Sequence, residues 1–187
     1  MMFHLILLGD KKDQQISRCL LPLLQKYYKV HYIAYGSLHT FGEGEPVNVI
    51  EMAKLQDLTL ENSILLLKET VRVAPFRSID RNTSVILSES NITGFKPLAP
   101  LFSNVYTCGL GQKECITFSS REENDLVVSL QRSVLLPQGK VCEPFEIPCH
   151  KSTACSDYTV LACVLVLVLT GCLDENKIKE IGKIYIS

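Results

Sequence analysis

Residues that ligate metals crowd into one stretch, with Cys142, Cys149, His150 and Cys155 all inside the span 142–155. Thiolates and imidazole are zinc ligands, but the spacing C-x6-C-H-x4-C matches none of the usual paired knuckles. Cys149 and His150 are adjacent, and in an extended chain they point to opposite faces. No metal site is predicted. A phosphate cradle needs consecutive backbone N–H groups, often with a Lys and a Ser or Thr. Gly109-Leu110-Gly111-Gln112-Lys113 comes nearest, yet Glu114 stands where the hydroxyl belongs, and the segment leads into a strand. Gly9-Asp10-Lys11-Lys12 follows an apolar run but offers a single glycine. The four histidines, His4, His31, His39 and His150, lie in no context diagnostic of a nucleophile and its base. Glu122-Glu123 reads as a solvated turn. No catalytic, cofactor-binding or metal-binding residue is assigned, and no cofactor is expected.

What remains is position. In an open α/β sheet, ligands sit beyond the carboxyl ends of the strands. Those ends would present Gly9-Asp10-Lys11, Tyr35-Gly36, Lys68-Glu69, Ser88-Glu89-Ser90-Asn91 and Cys108-Gly109. Each taken alone also reads as a plain turn. Cys108, at a strand end beside glycine, is the thiol best placed to be accessible, with buried packing as the competing reading. The segment 129–148, SLQRSVLLPQGKVCEPFEIP, sets Gln131 beside Arg132; a buried Arg132 would need an acidic partner, which Glu143 or Glu146 could supply. The candidate ligand or partner residues are therefore Lys68, Glu69, Cys108, Gly109 and Arg132.

The elements that must hold them follow from hydrophobic periodicity. Apolar runs predict strands over 3–9, 30–36, 63–70, 83–90 and 104–109, and 47–52 is a short strand or the entry to one. Asp13 would cap a helix from 14 to about 29, which Pro22 should kink or split. Strand, helix and strand in so short a span form a βαβ unit with a parallel pair. Gly36, Gly42, Gly44 and Pro46 mark 37–46 as a loop, and 93–102 is a short helix or proline-rich loop. Beyond Gly109, strands over 114–120, 125–136 and 141–149 are joined too tightly for parallel crossovers and must be antiparallel. Gln138-Gly139-Lys140 signals a tight turn, while Pro144 and Pro148 demote 141–149 to an edge strand or extended arm. A long apolar helix over 158–173, a polar helix over 174–182 and a small strand, KIYIS, complete the chain. The fold class expected is α/β: a Rossmann-like, mostly parallel sheet with an antiparallel extension and a buried C-terminal helix, in one domain over 1–187.

Composition narrows the partners. The 187 residues carry 19 Lys and Arg against 20 Asp and Glu, a formal net charge of −1. Without a basic stretch, nucleic acid is disfavoured. The run 158–173 has no charge but is shorter than the roughly 20 residues that span a bilayer. It is flanked by Asp157 and Asp174-Glu175 rather than basic anchors, so it reads as a core helix. The first eight residues are apolar but lack the basic start and small-residue cleavage site of a secretory signal. A cytoplasmic location follows as the expectation, with the eight cysteines reduced and packing as small hydrophobes.

From Ser63 to Leu173 the order of elements resembles the central domain of the Mur ligases, which join amino acids to peptidoglycan precursors. The residues that carry the resemblance are Thr107-Cys108-Gly109-Leu110, the strands of 115–148 with Gly139, and the helix TVLACVLVLVLTG over 159–171. The chain also looks like a family of small bacterial proteins marked by a TCGL…TxSS…SLQR…G…EPxEIP pattern, which carries no functional implication. Mur ligases have a GKT-type phosphate loop after the first strand of this domain, a catalytic Lys and His, and two further domains; none has a counterpart in this sequence. The resemblance therefore implies a reduced scaffold that has lost ATP-dependent ligation. The expectation is a non-catalytic binding or interaction protein, linked to cell-wall metabolism, whose partner is a small molecule or a protein. The alternatives are an enzyme with an unrecognised site at the strand ends and a subunit of a homo-oligomer whose apolar surface a partner covers.

Overall fold

A computed structural model of the protein describes residues 3–71, 76–136 and 139–187. The apolar run Phe3–Leu8 forms β1, and Gln15–Leu24 forms helix α1. Strands β2 (Lys29–Ala34), β3 (Ser37–Phe41) and β4 (Pro46–Met52) follow. The two-residue strand β5 (Asp57–Leu58) precedes β6 (Ser63–Leu67) and pairs with β7 (Ser78–Ile79) outside the main sheet. Next come β8 (Ser84–Ser88), the single turn α2 (Ile92–Phe95) and β9 (Asn104–Cys108). Six of these strands run parallel in the order β9-β8-β6-β1-β4-β2, with β3 antiparallel at the edge.

The second half continues the same sheet. Strand β10 (Ile116–Glu122) is antiparallel to β11 (Asp125–Leu130). A two-stranded flap, β12 (Val134–Leu135) with β13 (Val141–Cys142), stands apart. Strand β14 (Glu146–Lys151) then pairs antiparallel with β11. Helices α3 (Asp157–Leu169) and α4 (Glu175–Ile181) lead to β15 (Ile184–Ile186), which closes an eleven-stranded sheet. This is the α/β architecture expected, a mostly parallel sheet with an antiparallel extension.

Alternation along the parallel strands explains their continuous apolar runs. Leu5 and Leu7 of β1 face one layer with Ile64 and Leu66, under α1 and α3. Ile6 and Leu8 face the other with Leu65 and Leu67, against Phe95 and Phe102. A strand covered on both faces has no position to leave polar. Helix α3 is covered in the same way: every residue from Tyr158 to Leu169 is buried. Its valines are poor helix formers, so tertiary packing, not propensity, sustains it. Ser156 caps its start, with Oγ accepting from Thr159 N at 3.1 Å. Gly171, at φ 73°, takes the left-handed conformation that ends it. Among the described residues no helix is long and apolar enough to cross a membrane.

The structure corrects five readings. The segment 37–46 is not all loop. Tyr35 and Gly36, both at positive φ, make a two-residue hairpin turn that pairs Ala34 with Ser37 and creates β3. That strand is exposed on both faces, so no alternation betrays it. Strands β1 and β2 are parallel but not neighbours, because β4 inserts between them. Helix α1 stops at Leu24, soon after Pro22, instead of continuing to 29. The run 125–136 breaks after Leu130 and leaves Arg132 exposed on a bend, with no buried charge to compensate. The run 141–149 also divides, and β14 is interior, between β11 and β15. Pro148 is tolerated there because β15 pairs only from Cys149 onward. Gln138 of the expected Gln-Gly-Lys turn lies outside the described residues.

Burial reaches the tyrosines as well. Tyr28 donates to Thr170 O at 2.7 Å, Tyr106 to Leu135 O at 3.1 Å, and Tyr158 to Leu67 O. Burial is the largest cause that pushes the phenols of Tyr27, Tyr28, Tyr32, Tyr35, Tyr106 and Tyr158 above their ordinary value. A phenol whose folded pKa is raised binds its proton longer folded than unfolded, so stability falls as pH climbs above the unfolded value of about 10. An absorbance titration near 295 nm should show these six lagging behind free tyrosine, with the buried Tyr106 and Tyr158 released only on alkaline unfolding. Smooth titration of all seven near pH 10 without unfolding would contradict the burial.

Candidate functional site

Three neighbouring parallel strands, β6, β1 and β4, end at one rim of the sheet. Their register sets Leu8 level with Leu67 and Met52, and Leu7 level with Glu51. Lys68 therefore emerges beside Gly9, with Glu51 one strand beyond. The Lys68 stem lies directly over Gly9: a Cβ added to Gly9 would come within 2.6 Å of Lys68 Cβ. Only glycine leaves room for that crossing.

Lys68 and Glu51 form an ion pair whose side chains are both fully buried. Lys68 Nζ donates to Glu51 Oε1, to Asp10 O at 3.2 Å and to Asp13 O. An ammonium has three protons and no acceptor site, so these three acceptors use every donor it has. Tyr32, reaching across from β2, donates its hydroxyl to Glu51 Oε2. The pair is thus wired to four elements: β2, β4, the end of β6, and the loop after β1. Burying two charges costs several kcal/mol per ion, offset only when geometry and added hydrogen bonds are good.

The loop 9–14 folds inward on this centre. Its carbonyls at Asp10 and Asp13 point to Lys68, and its N–H groups at Gly9, Asp10, Lys12 and Asp13 are engaged with the chain itself. Asp10 N donates to Thr70 Oγ1 at 3.2 Å, Lys12 N to Asp10 Oδ1 at 2.8 Å, and Asp13 N to Asp10 O at 3.1 Å. Thr70 Oγ1 in turn donates to Asp13 Oδ2 at 2.9 Å. Lys11 lies over the Tyr35 ring, 5.2 Å from its centroid.

Outside this loop is a cleft of about 540 Å³ between the start of α1 and the start of α3, lined in part by Asp10, Asp13, Arg18, Glu69, Tyr158 and Thr159. Burial first, then the neighbouring carboxylates of Asp13 and Asp157, raise the Glu69 carboxyl above the usual range. The lining carries the carboxylates of Asp10, Asp13 and Glu69 and the cations Lys12 and Arg18, a small excess of negative charge.

The candidates separate accordingly. Lys68 lies beneath the cleft as a buried structural ion, and Glu69 is on its wall. Cys108 and Gly109 end β9, two strands away, and both are buried. Burial, then Cys115 and Glu114, push the Cys108 thiol well above its ordinary value. Gly109 packs on Glu89: a Cβ there would meet Glu89 Oε2 at 2.3 Å, and Leu110 N donates to the same oxygen at 3.1 Å. Arg132 is exposed beyond β11, and Glu143 accepts instead from Ser133 Oγ at 2.6 Å. Cys149 is buried while His150 faces solvent beside Asp125, and among the described residues no group of three or more metal-ligating side chains converges. Glu51 and Tyr32 were absent from the sequence candidates. A signal existed for Glu51: one carboxylate near the end of an apolar strand, matched by one lysine just after another.

No protein-family model and no curated protein sequence matches the chain. Among solved structures the fold is similar to the MurF ligase from Thermotoga maritima in complex with ADP, with a TM-score of 0.53 at 12% identity. The match covers 90% of this chain and 45% of the ligase, so the chain spans less than half that protein's length. The fold is Mur ligase-like.

Removing one partner of the buried pair should be costly. Lys68→Met should lose roughly 3–5 kcal/mol by leaving Glu51 unpaired. Lys68→Met with Glu51→Gln should lose less than the sum of the two single losses, with a coupling of about 2 kcal/mol, read by urea unfolding. Additive losses would mean that the pair does not form.

Proposed function

We propose that this chain is a non-catalytic binding or interaction protein on a Mur ligase-like scaffold, and that the loop after its first strand does not take nucleotide. The observation that carries this is the Lys68 centre. A phosphate loop aims backbone N–H groups at an anion. Here the loop aims carbonyls at an internal ammonium, and N–H groups at Asp10, Lys12 and Asp13 are engaged within the chain. The mouth adds three carboxylates, Asp10, Asp13 and Glu69, against two cations, Lys12 and Arg18, so it offers polyphosphate no net positive charge.

The likeness to a Mur ligase supports a place in cell-wall metabolism, in the cytoplasm, where precursors of that kind are handled. With three carboxylates to two cations, the cleft favours a neutral or weakly cationic small molecule, or a protein segment of that character, over a polyanionic one. The likened ligase structure holds ADP, which makes ADP the discriminating probe. Calorimetric titration of the intact chain with ADP and Mg²⁺ should give no saturable heat up to millimolar nucleotide. Saturable binding in the micromolar range would overturn the proposal and restore a nucleotide-dependent activity.

A further inference from the structure

Eight cysteines are free, and two of them meet although far apart in the chain. Cys19 on α1 and Cys155, just before α3, have their Sγ atoms 3.1 Å apart. Disulfide bonding brings sulfurs to about 2.05 Å, so a contraction of about 1 Å joins them. Both residues are buried but not sealed, at 5% and 6% exposure. Cys155 is further held by Ser152 Oγ at 3.4 Å and Ile186 O at 3.9 Å, so its sulfur stays beside Cys19.

We propose that Cys19 and Cys155 are a redox pair that closes to a reversible disulfide under peroxide and clamps the candidate cleft. The position gives the bond its consequence. One wall of the cleft is the start of α1, with Gln15, Ile16 and Arg18; the other includes Tyr158 and Thr159 at the start of α3. Cys19 lies one residue beyond Arg18, and Cys155 three before Tyr158. A covalent tie between them fixes the separation of the two walls.

The chemistry balances with hydrogen peroxide as oxidant. The attacking thiol gives up its proton and its sulfur attacks a peroxide oxygen; the O–O bond breaks, the leaving hydroxide takes that proton to become water, and a sulfenic acid forms. The second thiol attacks the sulfenic sulfur, the S–S bond forms, the S–O bond breaks, and a second water leaves. Two electrons pass from the sulfurs to peroxide, and a dithiol reductant reverses the change. Burial, then its contact with Cys155, pushes the Cys19 thiol up to about 12, so Cys155 is the thiol that meets peroxide and Cys19 the one that resolves the sulfenic acid.

The test is peroxide treatment of the intact chain, alkylation of remaining thiols after unfolding, and non-reducing peptide mass mapping. The expected result is one cross-linked peptide pair joining Cys19 to Cys155. Closing so long a loop should also raise Tm by roughly 10 °C, reversed by dithiothreitol. Cys19→Ala should abolish both effects, whereas Cys163→Ala should keep them; the mapping of the unmodified chain stands even if a variant fails to fold. Alkylation of both Cys19 and Cys155 after peroxide, their conversion only to sulfinic or sulfonic acid, or a disulfide joining other cysteines would each overturn the proposal.

Discussion

A lysine ammonium withdrawn from water must place all three protons on acceptors, or the chain around it does not fold stably. Lys68 meets that demand with one carboxylate and two backbone carbonyls, and much of the rim of the sheet is arranged to satisfy it. Gly9 is bare so that the lysine stem can pass. Asp10 and Asp13 curl their loop so that its carbonyls face inward. Glu51 is held at the end of β4 by Tyr32, so the ion pair has a fixed second side. The start of α1 inherits its direction from this loop, and the cleft between α1 and α3 inherits Asp10, Lys12 and Asp13 on its lip. A local charge requirement thus shapes the surface above it.

That inversion separates the chain from the scaffold it resembles. A parallel sheet with a loop and helix after its first strand is suited to anions when the loop's N–H groups are free. In this chain N–H groups of that loop bond within the chain, and its carbonyls at Asp10 and Asp13 turn to a lysine already paired with Glu51. Architecture is shared with the ligase; the chemistry at the rim is this chain's own.

The parts of the fold with strong local signals were legible in the amino-acid sequence. SILLL and SVILS are uninterrupted apolar runs because both faces of β6 and β8 are covered, and α3 shows the same all-round burial in a helix. Strand β3 was hidden because neither of its faces is buried, so SLHTF carries no pattern that distinguishes it from a loop. The insertion of β4 between β1 and β2 was hidden for a different reason: strand order is set by packing between distant segments, not by local composition. The site was half legible. Lys68 and Glu69 stood out by following an apolar strand, but the partner of Lys68 required the register of β1 with β4. Cys108 looked accessible because a glycine follows it; in the fold, Gly109 is packed on Glu89 and the thiol is sealed. Cys19 and Cys155, 136 positions apart, had no sequence signal that could join them.

The central claim is that the Lys68 ammonium is charged, desolvated and saturated beneath the loop. Nitrogen-15 labelling of lysine, with direct detection of side-chain NH₃⁺ groups by NMR, reads that state. The account predicts one ammonium resonance with slow proton exchange, assigned through its loss in Lys68→Met and unmoved by added ADP. Absence of any protected ammonium signal, or a shift of that signal on adding ADP, would contradict it.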